Sequence, residues 1–215
     1  MKKIYSIIIL AFFVMGVVQA QESGGIGFKP RSYYTFTWNT TFPMGDFSDW
    51  VNSPSPAGFD FGGRYLVKSG LAVGFNIGWS RVSKIYEDET YYIPEKGLAI
   101  TAENYRFTWI IPFQAVVAYH LMPDKLISPY LGLGIGGDYM EHHLLIQEYD
   151  IYETQWDFSL TPEIGVLAKF GKFSNWGGLV AFNYKWTTNR IEFYKNTSKD
   201  LSMLNLRVGV SYIIR

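Results

Sequence analysis

Residues Leu71–Trp79 read LAVGFNIGW. Leu71, Val73, Phe75, Ile77 and Trp79 are large and apolar, whereas Ala72, Gly74, Asn76 and Gly78 are small or polar. This is strict period-two alternation, the mark of an extended strand whose two faces meet different media. The same pattern recurs about eight times along the chain, and its apolar face carries almost no charge.

The composition agrees with an apolar surrounding. Charged residues make up 18% of the 215 residues, below the roughly 25% usual for soluble domains. The chain holds 16 Tyr, 16 Phe and 7 Trp, and large amphipathic rings are favoured at membrane interfaces. Cysteine is absent, which removes disulfides, thiolate metal sites and a lipid-modified N-terminal Cys. A formal net charge of +0 gives no sign of a nucleic-acid partner.

Residues 1–20, MKKIYSIIILAFFVMGVVQA, have the layout of a secretory signal peptide. Lys2 and Lys3 precede an apolar run over Ile4–Val18, and Val18-Gln19-Ala20 places small or modest side chains at the cleavage positions. The run is shorter than the roughly 20 residues a spanning helix needs, so cleavage after Ala20 is expected. Removal of the two lysines leaves 17 basic and 19 acidic residues. Residues 21–32 are then a short periplasmic lead-in, and 33–215 the barrel domain.

Strands are expected near Tyr33–Phe42, Gly58–Val67, Leu71–Lys84, Glu103–Leu121, Pro129–Tyr139, Thr154–Phe170, Trp176–Thr187 and Leu201–Ile214. Pro112 removes a ladder donor in the fourth, which predicts a bulge there. Long connections over Pro43–Ala57, Ile85–Ala102, Met140–Glu153 and Thr188–Asp200 alternate with short ones at Lys68–Gly70, Met122–Ser128 and Gly171–Asn175. Outer-membrane barrels have long extracellular loops and short periplasmic turns. An even strand count returns both termini to the periplasm. The pattern therefore predicts an all-β fold: a closed antiparallel transmembrane β-barrel of eight strands in an up-and-down meander.

Alternation alone does not say which face is lipid, since a soluble ligand-binding barrel alternates with its apolar face inward. Size decides. Eight strands enclose room only for modest side chains, and the apolar face here carries dozens of rings and branched chains. The opposite face, rich in Gly, Ser, Thr and Asn, suits a tight polar lumen.

Three stretches carry a resemblance: PYLGLGIGGDY at Pro129–Tyr139, PEIGVLAKF at Pro162–Phe170 and the terminal LRVGVSYIIR. With the signal peptide and the loop rhythm, the chain resembles small Gram-negative outer-membrane β-barrel proteins, the OmpW, OmpX, OmpA-barrel and porin-family group. The resemblance covers nearly all of Tyr33–Arg215. It implies folding through the outer-membrane assembly machinery, which reads a last strand usually ending in an aromatic residue; here Tyr212 is followed by Ile213-Ile214-Arg215.

The lumen-facing ionisable residues are the candidate site. Arg64, Glu163 and Arg207 are expected at mid-height, with Asp60, Arg106, Asp157, Lys169 and Lys185 along the remaining height. They are either a charged filter or proton-sensitive gate, or an ion network that fills and braces a narrow lumen. The second reading is preferred. His142 and His143 point to opposite faces of a strand, which disfavours one metal ion between them. Glu141 and Glu153 lie in the same region as His142, but no Ser is near in sequence to complete a hydrolase triad. Glu87-Asp88-Glu89 reads as a solvated loop face. The expected protein is a monomeric barrel without cofactor or metal, in contact with outer-membrane lipids and lipopolysaccharide, acting structurally or through its surface loops. A narrow porin-like channel for small or hydrophobic solutes is the alternative, and a lipid-modifying enzyme a third.

Overall fold

A computed structural model gives the fold and describes residues 32–68, 70–93, 98–146, 149–191 and 200–214. The expected signal peptide, the expected cleavage site after Ala20 and all but the last residue of the expected lead-in lie outside the described residues, as does most of the fourth expected loop. The strands are β1 (Ser32–Met44), β2 (Gly58–Leu66), β3 (Leu71–Ile93), β4 (Leu98–His120), β5 (Ile127–Ile146), β6 (Tyr149–Lys169), β7 (Trp176–Thr187) and β8 (Leu201–Ile214). Each pairs antiparallel with its sequence neighbours, and β8 returns to β1, closing the barrel. The closing ladder runs from Ser32↔Ile214 to Met44↔Ser202.

The apolar face of every strand points outward. Phe36, Trp38, Phe59, Phe61, Phe75, Ile77, Val208 and Val210 are exposed, while Thr35, Thr37, Asn39, Asp60, Asn76, Arg207 and Ser211 are buried. This is the inverse of a soluble barrel and matches a wall bathed in lipid. Aromatic pairs run across the outer face, with Tyr34 stacked on Phe61 and Phe36 on Phe59 at ring separations of 6.2 and 6.0 Å.

Two expectations about connections are corrected. The second loop, expected over Ile85–Ala102, is mostly a continued hairpin in which β3 reaches Ile93 and β4 starts at Leu98. The third, expected over Met140–Glu153, is likewise a hairpin, with β5 reaching Ile146 and β6 starting at Tyr149. Beyond the apolar band the outer face meets water, so alternation fades although backbone pairing continues. The bulge expected at Pro112 is also absent. The register of β3 on β4 is the same at Ile77↔Phe113 and Ser80↔Ile110, and shifts instead between Tyr86 and Glu89. Pro112 falls where this ladder is interrupted, and Pro162 sits at a similar gap between β6 and β7, so in each place no partner depends on the missing donor.

The first loop carries a short helix, α1 (Asp46–Trp50). Asp46 and Asp49 lie in its first turn, where carboxylates favour helix formation. Phe47 and Trp50 are three apart, share a face and are fully buried inside the barrel mouth.

Strand backbones approach most closely at lumen-facing glycines. A Cβ at Gly74 would lie 1.8 Å from the Gly63 carbonyl oxygen, and one at Gly209 would lie 2.1 Å from that of Phe36. By contrast, a Cβ at Gly132 has its nearest neighbour at 3.6 Å. Folded protein in SDS should migrate as a compact band that shifts on boiling. Gly74→Val is expected to abolish the compact band, with a cost of about 3 kcal/mol or more from overpacking against backbone, while Gly132→Ala keeps it. Identical migration of the two variants would refute the close-approach argument.

Candidate functional site

The lumen is filled in three layers, each built from inward positions of several strands. The central layer is organised around Arg207 of β8. Its Nη1 donates to Glu163 Oε2 at 2.6 Å, Nη2 to Asn76 Oδ1 at 3.0 Å and Nε to Thr37 Oγ1 at 3.3 Å. Asp60 Oδ2 lies 3.4 Å from Nε. Glu163 also accepts from Tyr130 Oη at 2.8 Å and Asn183 Nδ2 at 3.5 Å. A guanidinium with this many acceptors is the arrangement a buried cation requires, since its fork offers five donors.

The candidate residues divide among layers. Asp60, Glu163 and Arg207 are brought into contact. Arg64 lines the same cavity as Glu163 and Arg207, but its guanidinium donates to the carbonyl oxygens of Gly63 and Phe75 and forms no ion pair among the described residues. With Arg64, these four ionisable side chains are formally neutral as a set. Lys185 pairs with Asp138 at 3.0 Å, and Asp138 also accepts from Ser159. Sequence reasoning missed Asp138, although its even position in β5 places it on the face of Gly132, Gly134 and Gly136. Arg106, Asp157 and Lys169 stand apart from Arg207. Arg106 packs over the rings of Tyr86 and Trp50 at 4.2 and 5.5 Å. Asp157 accepts from Asn189 Nδ2 at 2.6 Å and Thr188 Oγ1 at 3.3 Å. Lys169 donates to the Pro123 carbonyl oxygen at 2.6 Å at the opposite end.

The layer at the loop end is apolar. Phe47, Trp50 and Val51 pack with Val82, Ile110, Met140, Leu144, Ile191, Leu201 and Met203. A polar relay fixes the cork. Trp50 Nε1 donates to Thr108 Oγ1 at 3.0 Å, Thr108 Oγ1 is hydrogen bonded to His142 Nδ1 at 2.8 Å, and His142 Nε2 to Asn189 Oδ1 at 2.7 Å. Neither Trp50 nor His142 was singled out as a lumen residue from sequence. The apolar cluster of Phe47, Trp50 and Val51 within a loop otherwise dominated by Pro, Ser, Asp and Asn was the available signal.

The layer at the short-turn end combines apolar and aromatic side chains, including Tyr33, Tyr130, Leu167, Leu179 and Ile213. His120 bridges Tyr33 Oη at 2.9 Å and Ser128 Oγ at 3.0 Å. No carboxylate touches His120 among the described residues, so the Ser–His contact lacks the third member of a triad. Between the layers, the polar gap bounded by Asn39, Asp60, Gln114 and Lys185 is about 10 Å³, room for about one water.

His142 and His143 face opposite ways. His143 is on the outward side of β5 but covered by its neighbours, stacked on Phe107 at 4.3 Å, with Glu141 at 2.6 Å and Asp150 at 3.0 Å on its two ring nitrogens. Among the described residues no group of three or more His, Asp or Glu has the geometry to hold a metal ion.

No family model and no curated protein sequence matches the chain. Solved structures do. Neisserial surface protein A is similar at 14% identity and a TM-score of 0.50, over 84% of this chain and 96% of that one. Ail, the attachment invasion locus protein of Yersinia pestis, solved with a heparin analogue, is similar at 12% identity and a TM-score of 0.48, over 87% of this chain and all of that one. OprG of Pseudomonas aeruginosa is similar at 11% identity and a TM-score of 0.48, over 88% and 98%. At such identities the likeness speaks for fold alone: the chain is an eight-stranded antiparallel barrel of the kind found in small outer-membrane proteins.

Proposed function

We propose that the chain is an integral outer-membrane barrel that closes its own lumen and works through the surface it presents outside the membrane. The single observation carrying this reading is the desolvated cluster of Arg207, Glu163, Asp60 and Asn76 across mid-lumen. A conducting pore needs hydrated, weakly held charges that an ion can enter and leave. Here each guanidinium nitrogen of the arginine has a partner, drawn from β1, β2, β3 and β6, and α1 stoppers the mouth above it. Placement in the outer membrane is supported by the outward rings and by the solved barrels of similar fold. The role is non-enzymatic in this reading, and the chain needs no cofactor.

Conductance in a planar bilayer tests closure. Wild-type protein, with insertion checked by its heat-shifted band, is expected to leave the bilayer silent. Steady discrete openings that change in Arg207→Ala would instead establish a narrow channel through the polar lumen. Stability tests the cluster. Glu163→Ala leaves Arg207 with a buried charge short of a partner, and its unfolding free energy is expected to fall by about 3–5 kcal/mol. An unchanged denaturation midpoint would remove the bracing role. Trp50→Ala is expected to increase protease access to the first loop, because it deletes both the largest buried side chain of the cork and the donor to Thr108. Cleavage at the wild-type rate would show that the loop is held by something else.

A further inference from the structure

The three short turns share a composition that the closed lumen does not use. Lys68 follows exposed Val67; Lys125 lies among exposed Leu121, Met122 and Leu126; Lys172 precedes Phe173. Phe173 is 86% exposed at the tip of its turn. A benzyl side chain at a turn tip is unfavourable in bulk water and suits the boundary between acyl chains and headgroups. A lysine beside such an anchor extends its ammonium to the phosphate level while its stem stays with the apolar surface.

The turns are also joined laterally. His120 N donates to the Gly70 carbonyl oxygen at 2.6 Å, Lys169 N to that of Leu126 at 2.7 Å, and Ile213 N to that of Asn175 at 2.6 Å. The lysines thus stand on one continuous rim. Asp124 is the one carboxylate among residues 67–70, 121–126 and 170–175. At the other end the balance is reversed: Asp49, Glu87, Glu103 and Asp150 are exposed, against exposed Arg190, among the described residues.

We infer that this rim is a collar for the anionic headgroups of glycerophospholipids in the leaflet it faces, with Lys68, Lys125 and Lys172 as the phosphate-directed cations. Charge complementarity selects the occupant. The collar presents cations at headgroup depth, and the apolar side chains beside each lysine hold the turns there rather than in open solution. The inference rests on the reading that the barrel spans the membrane with its short turns on the periplasmic side.

Spin-labelled phosphatidylglycerol and phosphatidylcholine, each added to phosphatidylcholine vesicles carrying the folded protein, report the relative association of the two headgroups. The phosphatidylglycerol label is expected to associate about threefold more strongly, with the preference falling toward unity in about 0.5 M salt. Combined Lys68→Gln, Lys125→Gln and Lys172→Gln should abolish the preference while leaving the heat-shifted band intact, and Arg190→Gln should leave it unchanged. Equal association of the two lipids, or a preference that survives the triple substitution, overturns the collar. Salt-sensitive binding to purified peptidoglycan without lipid preference overturns it in favour of the cell wall. Failure of the protein to insert at all overturns the spanning reading itself, which separates that failure from failure of the collar.

Discussion

The structure depends on one ladder. In hydrocarbon no water is present to satisfy a free N–H or C=O, so a sheet can cross a membrane only when it has no edge. Seven of the eight strand pairings join neighbours in sequence; the pairing of β1 with β8 joins the two ends of the described chain. Its thirteen rungs, from Ser32↔Ile214 to Met44↔Ser202, remove both edges at once. Every other feature presupposes that closure, including the outward rings, the narrow lumen and the glycines at which backbones converge.

Closure creates the second problem, a lumen into which eight strands project side chains with little room for water. The solution differs with height. Apolar chains fill the two ends, and a charged cluster fills the middle. Arg207 ties the two problems together. It sits on β8 and is held by Thr37 of β1, Asp60 of β2, Asn76 of β3 and Glu163 of β6. The side chain that fills the centre therefore also clamps the seam. Burial of such a cluster brings little net stabilisation on its own, but losing one member leaves an uncompensated charge. That asymmetry penalises any state in which the seam opens.

Most of the fold was legible because lipid imposes a period of two on whatever strand it touches. The limits of β7 and β8 follow directly from where alternation starts and stops. The upper parts of β3 to β6 were illegible for the same reason. In MEHHLLI, residues 140–146, Leu144 packs against the cork while Leu145 belongs to the opposite face, so two adjacent leucines break the pattern although the strand continues. At the site, parity placed Asp60, Glu163 and Arg207 in the lumen. Pairing was another matter. Arg64 and Arg207 are both lumen arginines, and only the relative heights of the strands decide that Arg207 meets the carboxylates while Arg64 meets carbonyl oxygens. Such heights come from register around the whole ring, which no local stretch encodes.

The unequal strand lengths give the molecule a front and a back. β3 to β6 are 20 to 23 residues long, whereas β1, β2, β7 and β8 have 9 to 14. A cylinder cut level at its top would look alike from every direction in the bilayer plane. This one rises on half its circumference, and the rising half carries the stacked His143 and its two carboxylates on its outward side. On the tall side the barrel therefore continues past the height at which the short strands end, with a surface that mixes exposed rings such as Trp109, Tyr152 and Trp156 with ionisable side chains. Unequal strands make the outline of the molecule depend on rotation about the barrel axis, so its top is a slope and not a level rim.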